Sequence, residues 1–124
     1  LVGYDTDRTS YQPGQLVYLQ LWWRADAPVT TDWTVFTHLL GPARADGSIL
    51  WAGQDARPGQ GSAAMPTWAV GDLVLDEYQW QLPADAPPGE YQIEIGVYDP
   101  AQGGRRGVTV GGEDHVIIGT LRIE

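Results

Sequence analysis

The longest alternation of apolar and polar residues in the chain predicts a β-strand over residues 91–98. A rigid, proline-rich corner at residues 83–89 precedes it, and such a corner can neither continue a helix nor donate hydrogen bonds into a central ladder. Side chains alternate between the two faces of a strand. One face therefore carries Tyr91, Ile93, Ile95 and Val97, and we expect that face, Tyr91 included, to point into a core.

Shorter segments of the same kind predict seven to eight strands in all. Helical periodicity is nearly absent, and Gly and Pro, which mark the turns, make up 25 of 124 residues. Residues 56–68 form the one long irregular stretch. The other predicted strands are residues 1–4, 15–24, 33–40, 48–55, 73–82, 105–110 and 115–123.

The phase of each strand predicts which face is buried. The 33–40 strand is apolar on both faces and is therefore expected to be central. Together these features predict a single all-β domain over residues 1–124, an immunoglobulin/fibronectin-III-like two-sheet antiparallel β-sandwich. Its predicted core includes Val17, Leu19, Leu21, Trp23, Val74, Tyr78, Trp80 and Leu82.

Composition and charge exclude several classes of partner. A net charge of −9 and a pI near 4.4 disfavour nucleic acids and anionic membranes. No apolar run approaches the roughly 20 residues that span a bilayer, so direct membrane insertion is not expected. The absence of cysteine removes disulfides and thiolate sites. The chain opens on Leu1 without a signal peptide, which indicates a processed or excised piece of a longer protein.

Catalytic signals are weak. Ser62 lies in a Gly-Gln-Gly-Ser-Ala-Ala loop that is neither a nucleophile elbow nor a dinucleotide fingerprint. We expect His38 to be a hydrogen-bonded structural histidine and His115 to be solvated. Asp76 and Glu77 are neighbours in a strand, so their side chains diverge to opposite faces and cannot act as a carboxylate pair. The sequence therefore predicts neither an enzyme nor a cofactor.

Calcium is a weaker hypothesis for the acidic loops. Asp5 and Asp7 could share an ion with Asp72 or Asp114, but the spacing does not match an EF-hand loop. Turn formation and capping explain these aspartates more simply, and no metal site is predicted.

Six tryptophans are the most unusual feature of the composition. An exposed indole offers a flat apolar face to a sugar ring or a partner surface, and neighbouring polar groups can bind hydroxyls. The alternative is that Trp23, Trp33 and Trp80 fill the core while Trp68 fastens the long loop to it. The candidate contact residues are Trp22, Trp51, Trp68, Gln20, Gln54 and Asp55.

The two ends of the chain are apolar and β-prone, so they are candidate edges for strand addition by another copy. Pairing within the chain is the alternative for each of them. The candidate edge residues are Leu1, Val2, Tyr4, Val116, Ile118, Leu121 and Ile123.

The order of short motifs along nearly the whole chain resembles a known family. These motifs include Pro-Gly-Gln-Leu at 13–16, Leu-Trp-Trp-Arg-Ala at 21–25, Thr-Val-Phe-Thr-His-Leu-Leu at 34–40, Asp-Glu-Tyr at 76–78 and Gly-Val-Tyr-Asp-Pro at 96–100. The family is the extracytoplasmic β-sandwich domain of Chloroflexota-type surface proteins and glycosyltransferase-like membrane proteins. The resemblance implies an accessory module with no catalytic residues. The chain departs from the family at Trp33, Trp51 and Trp80.

These observations predict a non-catalytic, extracellular module of a bacterial surface protein. It would dock to its parent protein, or assemble with its own copies into a surface layer or filament. The alternative is a carbohydrate-binding module that uses exposed tryptophans to bind polysaccharide.

Overall fold

The computed structural model describes residues 1–107 and 113–124. Within those residues the chain forms short 3₁₀ turns at Pro58–Gly61, Met65–Thr67 and Pro100–Gln102 and is otherwise built of strands and loops. The strands are β1 (Gly3–Thr6), β2 (Ser10–Tyr11), β3 (Leu16–Arg24), β4 (Thr34–Leu40), β5 (Leu50–Ala56), β6 (Leu73–Gln81), β7 (Gly89–Asp99), β8 (Arg105–Arg106) and β9 (Val116–Ile123).

The strands form two sheets, which confirms the all-β architecture. The smaller sheet has the order β1-β3-β6, and the larger has the order β2-β9-β7-β4-β5, with β8 pairing to β7. All ladders are antiparallel except the short one between β2 and β9. As predicted, β4 is central, because it pairs with both β5 and β7. The predicted 105–110 strand is observed as β8, and residues 108–110 of it lie outside the described residues.

β2 is the strand that the hydrophobic pattern misses. Ser10 and Tyr11 pair with Arg122 and Ile123, inside a segment expected to be a polar connection. Two residues are too few to show an alternation. Tyr11 is nevertheless buried, and its hydroxyl donates to Asp7 Oδ1 at 2.6 Å, so the strand is fixed by side-chain burial and hydrogen bonding.

The core lies between the inner faces of the two sheets and matches the predicted set in most positions. β3 contributes Val17, Leu19 and Leu21, all fully buried. Trp23 is only partly buried and packs at the margin. Full burial of a valine or leucine side chain, as at the three β3 positions, stabilises a fold by about 1.5–3 kcal/mol. The other fully buried large side chains are Trp80, Leu82, Tyr91, Phe36, Leu39, Ile93, Ile95, Tyr11 and Ile123.

The proline-rich corner holds Tyr91 as predicted. The Tyr91 ring is buried, and its hydroxyl donates to the carbonyl of Pro87 at 2.7 Å. Trp51 meets the ring edge-on at 6.1 Å between centroids. Gly41 lies directly against the ring, where an added Cβ would overlap it, so only glycine allows this approach. The corner, the ring and its neighbours form one packed unit at the end of β7.

Side chains protect the open edge of β6. The Gln54 side-chain oxygen accepts from the Gln79 backbone N–H at 2.8 Å, and the Gln60 amide donates to the Glu77 carbonyl at 3.2 Å. These contacts satisfy edge groups that another strand would otherwise pair with. The β5–β6 margin is therefore closed by side chains from β5 and from the Pro58–Gly61 turn.

Candidate functional site

The six predicted contact residues lie in three separate places. Trp22 and Gln20 lie on the outer face of the smaller sheet, opposite Leu75 and Glu77 of β6. Trp68 follows the 3₁₀ turn Met65–Thr67. The remaining three, Trp51, Gln54 and Asp55, lie in β5. The three tryptophans therefore do not form one stacking surface.

Trp51 is not exposed as its contact role would require. Its side chain is only 9% exposed and belongs to the core cluster. Its ring N–H donates to the Pro42 carbonyl at 2.8 Å, and the Arg44 guanidinium covers the ring at 4.1 Å from its centroid. β5 is an edge strand, and the register of its pairing with β4 shifts between Leu39 and Leu40, at the position of Trp51. There the indole points toward Tyr91 and not toward solvent.

Trp68 fastens the long loop to the body of the domain, which is the alternative given for it in place of a contact role. Its ring N–H donates to the Ala63 carbonyl at 2.8 Å. Its ring lies 6.5 Å from that of Trp23, centroid to centroid, and it packs against the core cluster. The loop and the margin of the core are thus joined through two partly buried indoles.

Trp22 belongs to an apolar outer surface that we call the Trp22 face. β3 and β6 contribute five cross-strand pairs to it, and only Arg24 and Glu77 are charged. Leu73 is 61% exposed and Tyr18 is 49% exposed, whereas Trp22 is half-buried. The pairs are Leu16 with Gln81, Tyr18 with Gln79, Gln20 with Glu77, Trp22 with Leu75 and Arg24 with Leu73.

The sequence contained the signal for the missed members of this face. Leu73 and Leu75 are in phase with Glu77 and Gln79, which are predicted to face outward. Two leucines on the solvent side of a strand break the alternation expected of a half-buried sheet. That departure is a better pointer to a contact surface than the count of tryptophans.

Asp76 is a buried carboxylate on the inner face of β6, and its side chain diverges from that of exposed Glu77 as predicted. It accepts hydrogen bonds from the Tyr78 hydroxyl at 2.7 Å, the Trp23 ring N–H at 3.2 Å and the Gly59 N–H at 2.9 Å. Burial raises the pKa of Asp76, while these donors act to lower it. The carboxylate has no cleft beside it and anchors the 58–61 turn.

His38 is hydrogen-bonded, as expected for a structural histidine. Its Nδ1 lies 2.8 Å from Glu94 Oε1 across the β4–β7 ladder, and its ring lies 4.8 Å from that of Phe36. Phe36 points to the outer face of the larger sheet but is only 2% exposed, because the Arg106 guanidinium covers it at 4.5 Å and Gly96 leaves room beneath it. The two histidines do not flank Ser62, which bonds to Gly59.

His115 is partly exposed and bonds to its neighbour. Its Nδ1 lies 2.9 Å from Asp114 Oδ1. That contact raises the pKa of His115 and lowers the pKa of Asp114. Arg106 also approaches Asp114, at 3.7 Å. The group is a surface ion-pair cluster beside Phe36.

The calcium hypothesis gains no ligand set. Asp7 accepts from the Tyr11 hydroxyl and the Tyr18 N–H, Asp5 from the Thr6 N–H, and Asp72 from the Ala69 N–H. The Asp5 and Asp72 bonds are local turn bonds, and Asp7 fastens Tyr11 and the backbone of β3. Across residues 1–107 and 113–124, no three His, Asp or Glu side chains come together as metal ligands.

The predicted assembly edges divide into exposed and buried residues. β1 is an edge strand, because β3 is its partner in the sheet. Leu1, Val2 and Tyr4 are exposed, although Tyr4 lies against Gly119. Val2 continues the strand by donating its N–H to the Trp22 carbonyl at 2.8 Å.

β9 departs from the prediction at its second half. Leu121 and Ile123 are buried in the core, so they line the interior instead of a free edge. β2 covers β9 only at Arg122 and Ile123. Val116 is exposed and Ile118 packs partly against the core. Pairing within the chain, the stated alternative, therefore accounts for the end of β9.

An open cleft lies on the outer side of β4 and β5. Gly53 forms its floor, since an added Cβ there would lie 2.7 Å from the Thr37 carbonyl oxygen and 3.2 Å from His38 Cδ2. The cleft encloses about 510 Å³. It brings together three of the predicted contact residues. Its lining is His38, Leu50, Trp51, Ala52, Gly53, Gln54 and Asp55.

Two polar side chains of the cleft are held by partners outside it. The Tyr98 hydroxyl donates to Asp55 Oδ2 at 3.1 Å, and Glu94 holds His38 through Nδ1. In the β4–β5 ladder, Phe36 pairs with Asp55 and His38 pairs with Gly53. Phe36 and His38 are on the outer face of β4, so Asp55 lies on the same face as His38. The cleft therefore has a fixed carboxylate and a fixed imidazole beside an apolar wall.

Comparison with known proteins gives no relative for this chain: no protein-family model and no curated protein matches it. Among the helical turns that the structure describes, none has the length and apolar content to cross a bilayer.

Proposed function

We propose that this chain is a non-catalytic, immunoglobulin/fibronectin-III-like module that acts by protein–protein contact through the Trp22 face. The strand order supports the immunoglobulin type, since the β1-β3-β6 sheet faces the β9-β7-β4-β5 sheet. The chain also passes from β1 in the smaller sheet to the short β2 in the larger one. The hydrogen bond from Tyr91 to the Pro87 carbonyl supports it further, because a tyrosine bonded back across the corner is a mark of these sandwiches.

The observation that carries the proposal is the composition of the Trp22 face. Eight of its ten side chains are uncharged in a chain of net charge −9, and four apolar ones are exposed: Leu16, Tyr18, Leu73 and Leu75. Exposed apolar side chains grouped on one sheet face mark interaction sites, and here the Gln20–Glu77 pair lies between the two apolar ends of the face. The partner proposed here is a second copy of the module, as in a surface layer or filament on a bacterial cell.

The size of the face sets the expected strength of the contact. β3 and β6 are each nine residues long, which at about 3.3 Å per residue gives a length of roughly 30 Å, and two strands about 4.8 Å apart give a width of roughly 10 Å. The area is about 300 Å² per partner, less than half of the roughly 800 Å² in a standard interface. We therefore expect weak self-association, in the range of about 0.1–1 mM, which only repeated contacts in an assembly would make stable.

Sedimentation equilibrium over a wide concentration range tests the proposal. The wild-type chain should show reversible association, and Leu73→Arg should abolish it, because the substitution places a charge at the most exposed apolar position. Gln92→Arg is the matched control, since it changes the net charge equally on an exposed position of the larger sheet. A wild-type chain that stays monomeric at about 1 mM contradicts the proposal, as does equal association by both variants.

A further inference from the structure

We propose that the cleft between β4 and β5 is a binding site for a neutral sugar, separate from the Trp22 face. The inference rests on the preformed arrangement around Gly53 and does not depend on self-association. It also differs from a site built on exposed tryptophans, because only the edge of the buried Trp51 reaches the cleft.

The floor of the cleft is open because residue 53 has no side chain. Any other residue there would place its Cβ against the Thr37 carbonyl oxygen and the His38 ring. With glycine, a ligand reaches down to the strand backbone beside the imidazole. The open space of about 510 Å³ above the strands is large enough for a mono- or disaccharide that lies on the surface.

The polar groups of the cleft suit hydroxyl groups. Tyr98 binds Asp55 through Oδ2, so Oδ1 is the carboxylate oxygen left to accept from a ligand. Glu94 binds His38 through Nδ1, and the Cδ2 edge lies above Gly53, so Nε2 is the ring nitrogen left for the cleft. Groups that are already oriented lose little entropy on binding.

The apolar wall and the charge of the cleft narrow the ligand class. Leu50 is exposed at one side and offers a surface for the C–H face of a sugar ring. Asp55 and Glu94 are both acidic, so phosphates, sulfates and acidic sugars are disfavoured. A small cation would satisfy Asp55 but would leave the Leu50 wall without a contact. A neutral sugar contacts both the Asp55 carboxylate and the Leu50 side chain.

Amide chemical-shift mapping tests this site. The probes are the methyl glycosides of glucose, galactose, mannose and N-acetylglucosamine, each added to about 50 mM, with methylammonium as the cationic arm. Using the Leu73→Arg chain as the background keeps self-association out of the result. We expect at least one glycoside to shift the amides of residues 38 and 50–55.

Two variants separate binding from folding. Asp55→Asn keeps the shape of the side chain but replaces the charged acceptor by a neutral amide oxygen, so it should weaken glycoside binding about tenfold. Gln92→Ala, on the same sheet but outside the cleft lining, should bind like the parent. The proposal is overturned if no glycoside shifts these amides, if only methylammonium does, or if Asp55→Asn binds as tightly as the parent.

Discussion

At the scale of single residues, Tyr91 is one of the buried aromatic side chains expected to contribute most to stability. Its ring is buried against Trp51 and Gly41, and its hydroxyl holds the proline-rich corner. Tyr91→Ala should lower the free energy of unfolding by about 3–5 kcal/mol, as other large-to-small aromatic changes in cores do. Urea denaturation measures the change.

Tyr91→Phe separates the ring from its hydrogen bond. The ring packing is kept and only the bond to Pro87 is lost, so we expect a decrease of about 0.5–1.5 kcal/mol. A loss below about 1 kcal/mol for Tyr91→Ala would mean that the ring is not a principal core contact.

Three buried tyrosines, Tyr11, Tyr78 and Tyr91, predict a loss of stability at high pH, because burial raises the pKa of each. Burial, followed by hydrogen bonds to Asp7 and Asp76, raises the pKa of Tyr11 to about 12 and raises the pKa of Tyr78 further. The unfolded chain ionises near pH 10 and releases these protons first, so stability is retained below about pH 10 and falls above it. Each tyrosine contributes a slope of at most about 1.4 kcal/mol per pH unit.

Urea denaturation between about pH 8 and pH 11 measures this slope. Tyr78→Phe removes one of these ionisable groups, so its free energy of unfolding should decline less steeply than that of the wild-type chain. An equal decline in both chains would assign the alkaline loss to other groups.

At the scale of elements, the alternation of side chains predicted most strands to within one or two residues. Strands such as β3 and β7 are long, and one of their faces is wholly apolar, so the pattern is unambiguous. β2 was missed because its pairing with β9 depends on contacts distant in sequence. The 58–61 turn depends likewise on Asp76, a carboxylate whose burial only the folded sheets reveal.

The turn at 58–61 should therefore loosen when Asp76 is removed. Gly59 and Gln60 both have positive φ, and the non-glycine Gln60 costs about 1–2 kcal/mol in that conformation. Asp76→Ala removes the bond to the Gly59 N–H that offsets this cost. Amide exchange at Gly61 and Ser62, measured by NMR, should accelerate about tenfold or more.

Glu77→Ala is the matched control for Asp76→Ala. It is the next residue of the same strand, its side chain is exposed, and the Gln60 amide uses only its backbone carbonyl. Exchange in Glu77→Ala should equal that of the wild-type chain. If both variants accelerate exchange equally, β6 as a whole, and not the Asp76 carboxylate, holds the turn.

At the scale of the whole molecule, the sequence predicted the architecture far better than the contact surfaces. Core positions follow from local alternation, whereas the exposure of an indole depends on neighbours such as Arg44 over Trp51. Gln54 and Asp55 lie near Trp51 because all three belong to β5, but the Trp51 ring is buried in the core. The cleft itself requires Gly53 to lie beside His38, a pairing between strands that no local pattern specifies.

The net charge gives self-association through the Trp22 face a distinctive dependence on salt. Two copies, each of charge −9, repel one another, while the five β3–β6 pairs of the contact surface carry one positive and one negative side chain, Arg24 and Glu77, with Asp5 of β1 beside Gln20. Salt shortens the screening length from about 30 Å at 0.01 M to about 3 Å at 1 M, which weakens the repulsion but leaves apolar contacts in place. Sedimentation equilibrium should therefore show association that strengthens with salt and is absent from Leu73→Arg throughout. Association that weakens with salt would instead indicate contacts between opposite charges, and the apolar face would not be the interface.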